Sequence, residues 1–132
     1  MNTVNTVLLV EDSLTESRAI TDYLQQSGLK VVSVGSVEEA QEKLSRQKPD
    51  LIVLDVILPG QSGFELCHEL KSDPETNWIP VVMCSTKSAA TDKLWGRMMG
   101  ADAYLAKPIS RQQLIQTIQR LIQPTVNQLI KD

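Results

Sequence analysis

Acids, a hydroxyl and a lysine stand at the ends of short apolar runs in this 132-residue chain. Glu11-Asp12 follows Thr6-Val7-Leu8-Leu9-Val10, and Asp55 follows Leu51-Ile52-Val53-Leu54. Ser85 follows Val81-Val82-Met83-Cys84, and Lys107 follows Ala103-Tyr104-Leu105-Ala106. If these runs are parallel strands of a doubly wound sheet, their carboxyl ends open onto one crevice, where such sheets bind ligands. Three carboxylates gathered there repel one another. A hard divalent cation relieves that repulsion, and Mg²⁺ is held by one or two carboxylates, water and phosphate oxygens. Lysine offers a phosphoryl group a compact positive charge, and the Ser85 hydroxyl can donate to a phosphoryl oxygen on the same rim. Each residue taken alone also fits a plainer role, as a helix cap, a strand-end acid or a surface lysine. Together they form a set in which four strand ends supply acid, acid, hydroxyl and lysine.

The elements that must position this set are legible in the apolar pattern. Val31-Val32-Ser33-Val34 adds a fifth run. The runs starting at Thr6, Leu51 and Val81 are continuously apolar, as strands buried on both faces of a parallel sheet are. Stretches with helical period lie between: Leu14, Ile20 and Leu24 in the first, then Val37, Ala40 and Leu44. The last carries Leu114, Ile115, Ile118, Leu121 and Ile122. The pairs Ser13/Glu16, Ser36/Glu39, Ser62/Glu65 and Ser110/Gln113 have capping-box spacing and mark four helix starts. The expected fold is α/β: five βα units, a parallel sheet with helices on both faces and right-handed crossovers. The fourth helix lacks such a box near Ser88 and contains Gly96, so it is expected to be the softest. Pro108 suits a sharp exit from the fifth strand, and Lys107-Pro108 is a candidate cis bond.

Bulk properties narrow the function. The length suits one domain. Apolar residues make up 42% and charged residues 22%, with a net charge of −3, which argues against a nucleic-acid binder with a basic face. No apolar run is long enough to span a membrane, and Met1-Asn2-Thr3-Val4 does not begin a signal peptide. Cys67 and Cys84 have no metal-ligand spacing and read as reduced, partly buried thiols of a cytoplasmic protein. The segment 123–132 reads as a short tail that cannot build an output domain.

The segments Val10-Glu11-Asp12-Ser13, Leu54-Asp55-Val56-Ile57-Leu58-Pro59-Gly60, Ser85-Thr86 and Lys107-Pro108 strongly resemble the receiver domains of bacterial two-component response regulators. The similarity spans residues 5–122, so 1–122 is expected to be one receiver domain. It implies a flavodoxin-like sheet with strand order 2-1-3-4-5. It implies Asp55 as the phosphoacceptor, Asp12 and Asp55 as direct Mg²⁺ ligands, Glu11 acting through water and the Ile57 backbone carbonyl completing the protein ligands. Ser85 and Lys107 would hold the phosphoryl oxygens, and Tyr104 matches the aromatic switch position. Phosphorylation would then reshape the surface of the fourth helix, fifth strand and fifth helix. The implied partners are a histidine kinase and a downstream target protein. The only chemistry implied is assistance to its own phosphotransfer and autodephosphorylation, with no enzyme activity on other substrates. Trp95-Gly96-Arg97-Met98-Met99-Gly100-Ala101 also resembles stand-alone receivers of chemotaxis-like and pilus-motility pathways. Oligomeric state is left open between monomer and weak dimer.

Ile57, Thr86 and Lys87 depart from common family choices. Ile57 and Thr86 suggest a long-lived phosphorylated form, and Lys87 adds positive charge near the rim. Three rival readings are opposed by particular residues. A haloacid-dehalogenase-type phosphohydrolase needs an Asp where Ile57 stands. A flavodoxin-like cofactor binder needs a Gly/Ser/Thr-rich phosphate loop where Glu11-Asp12 stands. A degenerate receiver, serving only as an interaction module, is opposed by the complete set Glu11, Asp12, Asp55, Ser85 and Lys107.

Overall fold

The computed structural model describes residues 5–122, so the readings made for the first four residues and the 123–132 tail lie outside the described residues. The apolar runs are strands: β1 (Thr6–Val10), β2 (Lys30–Val34), β3 (Leu51–Asp55), β4 (Val81–Ser85) and β5 (Ala103–Ala106). Between and after them lie α1 (Leu14–Gln26), α2 (Val37–Arg46), α3 (Gly63–Ser72), α4 (Ala90–Met98) and α5 (Arg111–Ile122). All strand pairs are parallel, in the order β2-β1-β3-β4-β5. The continuously apolar runs β1, β3 and β4 are the interior strands, while the mixed runs β2 and β5 are the edges.

Strand side chains alternate between faces, and this divides the core in two. Val7, Leu9, Leu51, Val53, Val82, Cys84 and Leu105 pack with Ile20 and Leu24 of α1 and Leu114 and Ile118 of α5. Leu8, Val10, Ile52, Leu54, Val81 and Met83 pack with α2 and α3, and Tyr104 and Met99 join that side.

Four serines cap helices as their spacing predicts: Ser13, Ser36, Ser62 and Ser110 accept from the backbone N–H three residues on. Only α3 closes the box in both directions, with Ser62 N–H donating to Glu65 at 3.4 Å. At α4 the N-cap is Ala89, which offers no side-chain oxygen, and the Asp92 carboxylate accepts from the Ala89 N–H at 3.1 Å. Leu14 is a correction to the apolar stripe of α1, since it is 77% exposed. At about 100° per residue it sits roughly 120° around the helix from Ile20, whereas Leu24 is within about 40°. The Lys107-Pro108 bond is cis.

Cys67 and Cys84 are free and buried, more fully than the partial burial expected from sequence. Burial pushes their thiols up to about 11 and about 12. Both are therefore neutral in the fold and inert to alkylation. A thiol whose folded value lies above the unfolded one stabilises the fold below the unfolded value, near 9, and that contribution is lost as pH rises. Iodoacetamide at pH 8 should label both cysteines only in denaturant, and the thermal midpoint should fall between pH 9 and 11. Rapid labelling of the native protein, read by mass, would contradict this packing.

Candidate functional site

The ladder carries the site residues into place. Glu11 N–H donates to Val34 at 3.0 Å and Lys107 N–H to Ser85 at 3.0 Å, so each continues its strand's alternation by one residue. Glu11 therefore follows Val7 and Leu9, Asp55 follows Leu51 and Val53, and Lys107 follows Leu105. All three share the parity of the face covered by α1 and α5. Ser85 and Tyr104 have the opposite parity, with Met83, on the face of α2, α3 and α4.

Because β1 and β3 are neighbours, Glu11, Asp12 and Asp55 each bring a carboxylate oxygen within 4.8 Å of the others. Glu11 and Asp55 are buried and Asp12 is exposed. Lys107, its side chain only 7% exposed, donates to Glu11 Oε1 at 2.6 Å, to Asp55 Oδ2 at 2.9 Å and to Glu16 Oε1. The other Asp55 oxygen, Oδ1, accepts from the Ile57 N–H at 3.1 Å, so the carboxylate is fixed at both ends. Burial pushes the Glu11 carboxyl above its ordinary range, against the opposing pull of Lys107. For Lys107, burial favours the neutral amine, but the three carboxylates outweigh it and hold the ammonium well above its ordinary value. Glu11, Glu16 and Asp55 thus all depend on one ammonium, that of Lys107.

Ser85 is fully buried, and its Oγ accepts from the Lys87 N–H at 3.1 Å rather than reaching the carboxylates. The Tyr104 hydroxyl donates to the Lys87 carbonyl. Both groups therefore hold the same residue of the β4–α4 loop, one by its N–H and the other by its carbonyl. Burial, with Asp92 nearby, pushes the Tyr104 phenol upward. The Lys87 ammonium does not sit on the carboxylate rim as its sequence position suggested. It pairs with Asp92 of α4 at 3.5 Å. Ile57 is 52% exposed, and Thr86 is exposed as well.

Three positions matter more than their sequence context indicated. Glu16 reads as half of a capping box, yet its carboxylate goes to Lys107 while Glu11 Oε2 takes the Ser13 N–H at 3.1 Å. Gly63 lies so close to the end of β3 that a Cβ there would stand 2.1 Å from the Asp55 carbonyl oxygen. Gly96 reads as a weak point of α4, but a Cβ there would stand 2.7 Å from Tyr104 Cδ2 and 3.1 Å from Met83 Sδ. It is the place where the Tyr104 ring meets the helix. The signal for Gly63 was a glycine directly after a cap serine, where helix propensity favours another residue.

The donor set suits Mg²⁺. It is all oxygen, its three carboxyl groups outnumber the one ammonium of Lys107, and its exposed member, Asp12, leaves a side open for water. No helix among the described residues is long and apolar enough to cross a membrane.

Comparison with known proteins places this architecture. The family model for the response regulator receiver domain matches residues 7–119. Protein PilH of Pseudomonas aeruginosa is 35% identical over 116 residues, covering 88% of this chain and 96% of PilH. Other curated relatives are about twice as long as the matched region. The crystal structure of the chemotaxis protein CheY4 of Vibrio cholerae superposes with a TM-score of 0.84 at 28% identity, covering 90% of this chain and 99% of that one. The phosphorylated cyanobacterial phytochrome response regulator RcpA does so with 0.78 at 31% identity, covering 92% and 93%.

Proposed function

Because the chain belongs to the response regulator receiver family, whose members are signalling domains rather than classical enzymes, we propose that residues 1–122 form a phosphorylation switch with Asp55 as acceptor. One observation carries the assignment: a buried aspartate at a strand end, gripped through one oxygen by Lys107 and through the other by a backbone N–H, beside two further carboxylates.

A carboxylate oxygen of Asp55 attacks the phosphorus of a phosphohistidine on a partner kinase. The new O–P bond forms as the P–N bond breaks, and the departing imidazole takes a proton from solvent. Asp12, Asp55 and the Ile57 carbonyl would hold Mg²⁺, with Glu11 acting through water. When bound there, the ion would supply positive charge against the phosphoryl oxygens. Lys107 and the Ser85 hydroxyl then take phosphoryl oxygens as ligands. Water attack at the same phosphorus returns the resting state, and the apolar Ile57 and the Thr86 side chain favour a slow return.

The switch follows from the shared grip on Lys87. Drawing the Ser85 hydroxyl toward a phosphoryl oxygen breaks its bond from the Lys87 N–H. The same peptide region holds Tyr104, whose ring rests on Gly96 of α4. The loop, Tyr104 and α4 therefore move together, altering the surface of α4, β5 and α5 that a target protein reads. The likeness to CheY4 and PilH supports a stand-alone receiver in a chemotaxis-like pathway, cytoplasmic, with a histidine kinase upstream.

Backbone NMR with Mg²⁺ and beryllofluoride, a stable phosphoryl mimic, tests the switch. Shifts are expected to run from Asp55 to Lys87, Gly96 and Tyr104. Shifts confined to the ends of β1 and β3 would contradict signalling through α4. No shifts at all would favour a phosphorylation-independent interaction module.

A further inference from the structure

An ammonium has three N–H donors, and the structure gives Lys107 three carboxylates: Glu11, Asp55 and Glu16. Two of the three belong to the metal-capable cluster at the strand ends. Glu16 does not; it reaches over from the first turn of α1. Its side chain is 44% exposed, against 2% for Glu11 and 7% for Asp55. Nor is Glu16 occupied in capping its own helix, since Glu11 has taken the Ser13 N–H. In α3 the same Ser-x-x-Glu spacing closes on itself, with no lysine competing for the Glu65 carboxylate.

We propose that Glu16 is a positioning residue that occupies the third donor of Lys107 in the resting state and surrenders it to the phosphoryl group. The inference rests on Asp55 being the acceptor. With every donor committed, a phosphoryl oxygen gains Lys107 only by displacing a carboxylate. Glu11 is buried, and stripping its partner leaves a charge without water, while Asp55 keeps its bond to Lys107 until its own oxygen takes the phosphoryl group. Glu16 is half in solvent, so water replaces its lost partner at small cost. The arriving group also brings about −1.5 to −2 charges, which repel the Glu16 carboxylate and attract the ammonium. Glu16 thereby holds Lys107 in place and opposes phosphorylation until the phosphoryl group outbids it.

Glu16→Gln removes the anion while keeping the shape of the side chain. With Mg²⁺ present, the beryllofluoride dissociation constant should fall by about threefold or more, a size expected for a partly exposed ion pair. The same substitution in a Lys107→Ala background should change it by less than about half that factor, because the pair it breaks is already gone. An equal gain in both backgrounds would show simple charge repulsion and overturn the proposal, as would unchanged or weaker binding in Glu16→Gln. Should Lys107→Ala bind too weakly to measure, the carboxyl carbon of Glu16 decides. Its NMR shift should move toward the solvent-exposed value when beryllofluoride is added to the unsubstituted protein, and an unmoved shift would refute release. If that protein fails to bind beryllofluoride at all, it is the acceptor reading that falls, not the role of Glu16.

Discussion

Lys107→Ala is expected to leave a folded chain that binds Mg²⁺ and accepts a phosphoryl group slowly, yet no longer transmits the event to α4. The lysine side chain is 7% exposed and is the cation in contact with Glu11 and Asp55. Removing it leaves two buried carboxylates facing each other. Breaking one side of a buried ion pair costs on the order of 3 kcal/mol. A bound metal would recover part of that by neutralising the same carboxylates. The variant should therefore unfold at a markedly lower temperature in chelator, and gain more from added Mg²⁺ than the unsubstituted protein does. Calorimetry with and without metal reads the first effect. Beryllofluoride-induced shifts at Tyr104 and Gly96 read the second, and should disappear while shifts at Asp55 persist. Undiminished shifts at Tyr104 would place the coupling elsewhere than Lys107.

Gly63→Ala should be the most damaging small substitution near the site. By helix propensity alone, alanine at a helical position gains about 1 kcal/mol over glycine. Packing decides the sign against it. The added Cβ would stand 2.1 Å from the Asp55 carbonyl oxygen and 2.9 Å from Val56 Cα, and backbone cannot swing aside as a side-chain end can. The Gly63 N–H also donates to the Val56 carbonyl at 2.8 Å, so α3 is tied to the segment it would have to leave. Overpacking of this kind costs about 3 kcal/mol. Any surviving fold carries a displaced Asp55, and a shift near 1 Å at a reacting group costs roughly 100-fold in rate. Urea unfolding should show a clearly lower midpoint, and phosphoryl labelling should be slowed to that degree. A midpoint equal to or above that of the unsubstituted protein would mean that α3 accommodates the methyl freely.

The sequence revealed the strand ends well because strand burial and chemistry coincide there. Continuous apolar runs marked β1, β3 and β4 as interior strands, and each ended on a group that burial alone would not select. Helix starts were legible through Ser13, Ser36, Ser62 and Ser110, whose hydroxyls answer a local backbone need. What stayed hidden depends on contacts between distant segments. Glu16 has a local explanation as a cap partner, and only the arrival of Lys107, 91 residues on, draws it away. Lys87 looked like a rim charge until Asp92 of α4 was placed beside it. Gly63 and Gly96 are specified by what touches them, the Asp55 backbone and the Tyr104 ring, and a glycine in a sequence carries no sign of its neighbours. Leu14 misled in the other direction. It is apolar at a helix start, but its angle around α1 turns it to solvent.

The proposed switch stands on Asp55 accepting a phosphoryl group with the help of Mg²⁺. Intact-mass measurement after incubation with acetyl phosphate or phosphoramidate tests it most directly, run alongside Asp55→Asn, whose amide is nearly isosteric with the carboxylate. The unsubstituted protein should gain the mass of one phosphoryl group with Mg²⁺ and none in chelator, while folded Asp55→Asn gains none. No gain at any Mg²⁺ concentration, or an equal gain in Asp55→Asn, would contradict the account.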